Sequence, residues 1–345
     1  MTKKTVLLAG ALGVGVLAAR RKAAARGVDS PVPETTPAPP PPPVGRARTV
    51  HAEDGVELSV VEHGAQESAT ATVVLAHGYV QSSALWNGQV RDLVDARPDL
   101  NVVTYDHRGH GRSGRTSREA ANLKQLARDL GAVVDAVAPH GPVVVGGHSM
   151  GGMTVMALAE ERPELFGDRV VGAAFVGTSA GGLSAVTYGL PVPVAKAVNW
   201  LRPVLNEAAV KAEAKGKPRK VGKADAYMIF PRGADPALVQ EALEVHRGCS
   251  AETVAAFLPT FSDHDRLQAL DALAHVPSVV VVGDKDLICP LAHAHAIAEA
   301  LPQSELTVFP GVGHMVHLER RQEVSRILLG LVDRALVGRR TLSAV

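Results

Sequence analysis

The chain has 345 residues, 46% hydrophobic and 21% charged, which excludes a disordered chain, a coiled coil and a polytopic membrane protein. Lys plus Arg number 36 against 35 Asp plus Glu, so the net charge of +1 gives no sign of nucleic acid as a partner. Two cysteines, Cys249 and Cys289, cannot build a disulfide framework, and their spacing offers no zinc site.

Residues 1–27 read as a hydrophobic anchor or signal segment with basic flanks. Lys3 and Lys4 precede the uncharged run Thr5–Ala19, and Arg20, Arg21, Lys22 and Arg26 follow it. Fifteen helical residues reach about 22 Å, short of the ~30 Å hydrocarbon core. Snorkelling lysines and arginines close that gap for an uncleaved anchor. A cleaved signal, leaving a secreted protein, has the same basic start and apolar centre. The expectation is an uncleaved membrane anchor, with the side of the membrane left open. Residues 28–45 read as a linker, because eight of the thirteen residues from Pro31 to Pro43 are proline and run as a stiff polyproline spacer.

From residue 46 to 345 the pattern is that of one enzyme-sized body. Arg48–His51 and Val56–Glu62 flank the turn pair Asp54-Gly55 and predict a hairpin. Further strands are expected at Thr72–Ala76, Asn101–Tyr105, Pro142–Gly146, Val170–Gly177, Ser278–Val282 and Glu305–Phe309. Helices are expected at Ala121–Val137, Met150–Glu161, Leu291–Leu301 and Gln322–Leu336. Valine runs without polar alternation mark strands buried on both faces, so the fold class is α/β: a mostly parallel eight-stranded sheet flanked by helices. A helical insertion spans about 181–270, broken by Pro191, Pro193, Pro203, Pro231, Pro236 and Pro259, and is placed as a lid over the carboxyl edge of the sheet. Its basic run Lys211–Lys223 reads as a solvated surface. Its apolar residues Leu183, Val186, Tyr188, Leu190, Val192 and Trp200 suit either an acyl chain or packing on the body.

Four stretches carry chemistry. Gly147-His148-Ser149-Met150-Gly151 follows a strand and opens a helix, the context in which a G-x-S-x-G turn lifts a serine above a sheet. His77-Gly78-Tyr79 follows another strand; there the backbone N–H of Tyr79, with that of Met150, would face a developing oxyanion. Val282–Pro290 ends a strand with two competing acids, Asp284 and Asp286, either of which could orient a histidine. Gly311–His317 puts His314 on a glycine-rich loop after the last strand, with His317 three residues on. The order Ser, Asp, His along the chain suits this mechanism on this architecture. His293 and His295 lie on opposite sides of a helix and cannot share a metal. No metal or organic cofactor is indicated.

Together, HGY with Trp86 downstream, Asp106-His-Arg-Gly-His-Gly-Arg-Ser113, GHSMGG, GDKDLICP and GHMVHLE resemble the α/β-hydrolase family, nearest its bacterial esterase, lipase and haloperoxidase-like branch. The resemblance covers Thr49 to Leu336. It implies a catalytic set of Ser149, Asp286 and His314, an oxyanion hole of the Tyr79 and Met150 N–H groups, and a structural role for the Asp106–Ser113 loop. The implied activity is cleavage of a carboxylic ester, hydrophobic or with an acyl chain, through an acyl-enzyme. The same triad also serves acyl transfer or cofactor-free perhydrolysis, and a non-catalytic binding protein on this fold is the remaining class. The expected partners are a small-molecule ester and, through the N-terminal segment, a membrane.

Overall fold

Eight strands form a single sheet in the order β1-β2-β4-β3-β5-β6-β7-β8. They are β1 Arg46–His51, β2 Glu57–Gly64, β3 Ala71–Ala76, β4 Leu100–Tyr105, β5 Val143–His148, β6 Val170–Val176, β7 Ser278–Gly283 and β8 Glu305–Phe309. The computed structural model describes residues 44–66 and 68–342, so the N-terminal apolar run and nearly all of the Pro-rich spacer lie outside the described residues. Among the described residues, no helix is long and apolar enough to cross a membrane.

β2 runs antiparallel to both its neighbours, β1 and β4, and every other pairing is parallel. The valine runs explain this arrangement. All six residues of β3, β4, β5 and β7 are buried, as a strand covered on both faces requires. One face is covered by α1 (Asn87–Ala96) and α10 (Arg321–Leu342), whose Val90, Leu93, Val324 and Leu328 pack on Val73, Val102 and Val144. The other is covered by α2 (Leu123–Val137), α3 (Met150–Glu161) and α8 (Leu291–Ala300), through residues such as Leu126, Val155 and Ile297.

All eight predicted strands are present within two residues at each end. Of the helices, α1 has no counterpart among the predicted ones. Its sequence, NGQVRDLVDA, carries only three large apolar residues and begins directly after a single 3-10 turn, Ser83–Trp86.

The chain between β6 and β7 contains four helices: α4 Val192–Glu213, α5 Lys223–Ile229, α6 Pro236–Gly248 and α7 Ala251–Phe257. One expected break is corrected here. Pro203 lies inside α4, whereas Pro193 and Pro236 sit in first turns, where a missing N–H costs nothing. Of the six apolar residues singled out in the insertion, Val186 and Leu190 are buried, Leu183 and Tyr188 partly so, and Val192 and Trp200 are exposed.

The Asp106–Ser113 loop is a scaffold. Arg108 is fully buried and paired with Asp129, also fully buried, through two 2.6 Å contacts, and with Asp54 at 2.6 Å. Removing one partner of a buried pair costs about 3–5 kcal/mol, so these bonds fix the loop firmly. Asp106 in turn accepts the N–H groups of Ser83 and Arg112. Gly111 has a φ of +52°, and a Cβ there would lie 2.3 Å from the Asp106 carboxylate, so only glycine closes this turn.

Candidate active site

β3 and β5 are neighbours in the sheet, but the chain leaving β3 turns to β4 on one side and the chain leaving β5 turns to β6 on the other. The loops after β3 and β5 therefore meet at the switch point of the sheet, where a crevice forms at the carboxyl ends. Ser149 stands there between β5 and α3 with φ 51° and ψ −117°, a conformation that is costly for any residue with a Cβ. The turn survives because its neighbours are small. A Cβ on Gly147 would lie 2.2 Å from the Gly151 carbonyl carbon, and one on Gly151 would lie 2.2 Å from the Ala76 carbonyl oxygen. The Ser149 N–H donates to Val176 at 2.9 Å, which ties the turn to β6.

The loop after β7 carries both candidate acids, and geometry separates them. Asp286 Oδ2 accepts from His314 Nδ1 at 2.8 Å, while its Oδ1 accepts the N–H groups of Ile288 and Cys289 at 2.8 and 2.9 Å. Asp284 is turned elsewhere: it accepts the Gly311 N–H at 2.7 Å and pairs with Lys285. The histidines separate as well. His317 stacks between Trp86 and His148, with ring centroids 4.7 and 4.2 Å away, and burial pushes it down to about 3. Ser149, Asp286 and His314 are each no more than 6% exposed. With Nδ1 held by Asp286, the free ring nitrogen of His314 is Nε2.

Cys289 follows Asp286 in the same loop and is fully buried. Burial pushes its thiol well above the ordinary range, with the Asp286 charge acting in the same direction and Ser149 against it, so it stays protonated. Cys289 is therefore no competing nucleophile.

The two amides expected to meet an oxyanion are aimed by side chains. His77 Nε2 accepts the His107 N–H at 2.9 Å, so the proton of this neutral, buried ring sits on Nδ1 and is donated to the Gly78 carbonyl at 2.7 Å. In a planar trans peptide, pinning that carbonyl turns the Tyr79 N–H the opposite way. The Ser149 carbonyl is likewise held by Thr178 Oγ1 at 2.7 Å, leaving the Met150 N–H at the open N-terminus of α3. Next to Tyr79, Val80 has a φ of 63°, rare for a β-branched residue, and its N–H donates to His110 Nε2 at 3.3 Å. His110 accepts there because burial pushes it down to about 3.

Three supporting residues escaped the sequence reading. His148 sits in the variable position of the serine turn, yet its Nε2–H donates to the His314 carbonyl at 2.9 Å and its Nδ1 lies 3.1 Å from Gln81 Oε1. Gln81 Oε1 accepts the Gly78 N–H at 2.9 Å and its Nε2 donates to Met315 Sδ at 3.5 Å, so one amide joins the loops after β3 and β8. The third is Glu319, in the short helix α9 (Val316–Glu319), which accepts the Gly313 N–H at 2.9 Å beside His314. Gln81 had no signal. Glu319 lay within the GHMVHLE stretch, but its role depends on a backbone contact that no pattern reveals.

Burial raises the Glu319 carboxyl to about 7, against the lowering effects of Gly313 and Arg320 and with Asp286 adding to the rise. The folded state thus favours its protonated form. The resulting stabilisation is complete below the ordinary carboxylate range near 4.5 and is lost as pH rises through about 7. Glu319→Gln keeps the carbonyl acceptor and removes the buried charge. It is expected to be more stable than the parent above pH 7, with the gap closing as pH falls toward 4.5. Urea midpoints measured across that range check this, and parallel curves would refute it.

A mostly parallel sheet of this order, covered by helices on both faces and carrying its reactive loops on the carboxyl edge, is the α/β-hydrolase fold. Residues 67–321 match the family described as serine aminopeptidase, S33, and the chain belongs to that family of hydrolases. It is 30% identical over 259 residues to the monoacylglycerol lipase of Mycolicibacterium smegmatis, covering 73% of this chain and 84% of that one. It is 28% identical to the human monoglyceride lipase over 254 residues, 72% of this chain and 77% of the relative. Among solved structures, the enol-lactonase of Burkholderia xenovorans superposes with a TM-score of 0.67 at 22% identity, covering 83% of this chain and all of that one.

Proposed function

We propose that this hydrolase cleaves carboxylic esters of hydrophobic acyl groups through an acyl-enzyme, with Ser149 as nucleophile. In this reading His314 Nε2 takes the serine proton as Oγ attacks the carbonyl, and later returns it to the leaving alcohol. Asp286 holds the imidazole in the tautomer with the proton on Nδ1 and stabilises the imidazolium. The N–H groups of Tyr79 and Met150 receive the charge that develops on the carbonyl oxygen. Water then resolves the ester on Ser149, with His314 acting again as base.

The observation that carries the proposal is the 2.8 Å contact of His314 Nδ1 with an Asp286 carboxylate whose other oxygen is already fixed by two backbone N–H groups. The substrate class rests on relatives named as lipases of monoacylated glycerol and on the apolar residues of the insertion. A panel of monoesters from short to long acyl chains, with Ser149→Ala as the blank, tests it. Turnover that rises with chain length supports the reading; turnover confined to amides, or none above the blank, overturns it.

The N-terminal run Thr5–Ala19, with its cations on both sides, is proposed as the anchor of this enzyme to a membrane. The full chain is expected in the membrane fraction and a chain begun at Gly45 in the soluble one. Recovery of the full chain in the soluble fraction refutes the anchor.

A further inference from the structure

The helix α4 is apolar on both sides. Its inner positions Ala195, Val198, Leu201 and Leu205 are buried or partly so, as expected of a helix resting on the body. Its outer face should therefore be polar. Instead, Trp200 is 77% exposed and Val204 64%, with Val192 and Val194 at the start of the helix also exposed. At about 100° per residue, Pro193, Lys196, Ala197, Trp200, Pro203, Val204 and Lys211 fall along one stripe. Every one of these seven is exposed.

The charges on the stripe say what covers it. Lys196 and Lys211 stand on either side of Trp200 and Val204. Lys215, Lys217, Lys220 and Lys223 continue past the helix end, all exposed. One acid falls on the stripe, Glu207, and its carboxylate is paired with Arg118 at 2.5 Å. A protein partner would have to bury Trp200 and still satisfy these cations. A lipid surface of anionic headgroups does both, since apolar side chains enter the acyl boundary while lysines snorkel to the phosphates. The chain outside the described residues points the same way, because its apolar run with basic flanks is joined to β1 through the Pro-rich spacer.

We propose that the outer stripe of α4, centred on Trp200 and Val204 and flanked by Lys196 and Lys211, docks on an anionic lipid surface. This goes beyond the ester-hydrolase reading and does not depend on it. Docking would lay the helical insertion, and with it the carboxyl edge of the sheet, against the surface from which an amphiphile could be drawn.

The two tryptophans provide the test. Trp86 is fully buried, so any change in tryptophan environment on binding reports Trp200. The full chain is mixed with vesicles of phosphatidylcholine alone or with phosphatidylglycerol, each made with and without brominated acyl chains. Expected are a blue-shifted emission and quenching by bromine, both greater in the anionic vesicles. Lys196→Glu with Lys211→Glu should weaken the response, by roughly five-fold for each lysine removed, while the chain still sediments with the vesicles. Ser149→Ala should leave it intact, which separates this proposal from the catalytic one. Quenching that is absent, or that ignores both headgroup charge and the lysines, overturns the proposal. So does a blue shift without lipid that grows with protein concentration, which would identify a second copy as the occupant.

Discussion

Ser149→Ala is expected to reduce ester hydrolysis by a factor on the order of 10⁶, to the level left by binding and the oxyanion amides. The expectation rests on position as much as on residue type. Ser149 is held at φ 51° by small neighbours, on the open end of α3 and beside two amides whose carbonyl partners are tied back by His77 and Thr178. Loss of the hydroxyl leaves the backbone, and so the fold, as it was. A fluorophosphonate probe that labels the parent should fail to label this variant, and persistent labelling would move the nucleophile elsewhere. Ser149→Gly is the informative companion. Removing the Cβ relieves a conformation that costs about 1–3 kcal/mol, so this variant should be inactive and more resistant to urea than the alanine one. Equal resistance would mean that the turn holds no strain.

The strands were legible because burial on both faces leaves so plain a signature: VVVG, TVVLA and SVVVV cannot alternate, and a parallel sheet under two helical layers is what remains. The serine turn was legible for a related reason, since close packing forces glycine at 147 and 151 whatever else the chain does. What could not be read were contacts between distant loops. The sequence spacing of Asp284 and Asp286 leaves both at a strand end, and only the course of the loop shows Asp284 spent on Gly311 while Asp286 meets His314. His148 and Gln81 act through single backbone contacts that any polar residue of the right length could make. Helix α1 was missed because its burial depends on Trp86 and α10 more than on its own pattern. The break expected at Pro203 is absent, since one helix runs through it from Val192 to Glu213.

Asp286→Asn should lower turnover by about 10⁴-fold while leaving substrate affinity and folding close to those of the parent. The carboxylate has two tasks, and the amide fails at both. Oδ1 is held by the N–H groups of Ile288 and Cys289, so an asparagine would keep its carbonyl oxygen there and turn its NH₂ toward His314. A donor in that place selects the tautomer with the proton on Nε2, which cannot accept from Ser149. It also removes the negative charge that would stabilise the imidazolium. The loss should therefore appear in kcat, and it should shrink at high pH if hydroxide can replace the base. Asp284→Asn is the control: its carboxylate caps Gly311 and pairs with exposed Lys285, so turnover should change by no more than a few fold. A larger loss for Asp284→Asn than for Asp286→Asn would transfer the role to Asp284. In that case the loop after β7 would have to rearrange during turnover, breaking both backbone contacts that now hold Asp286.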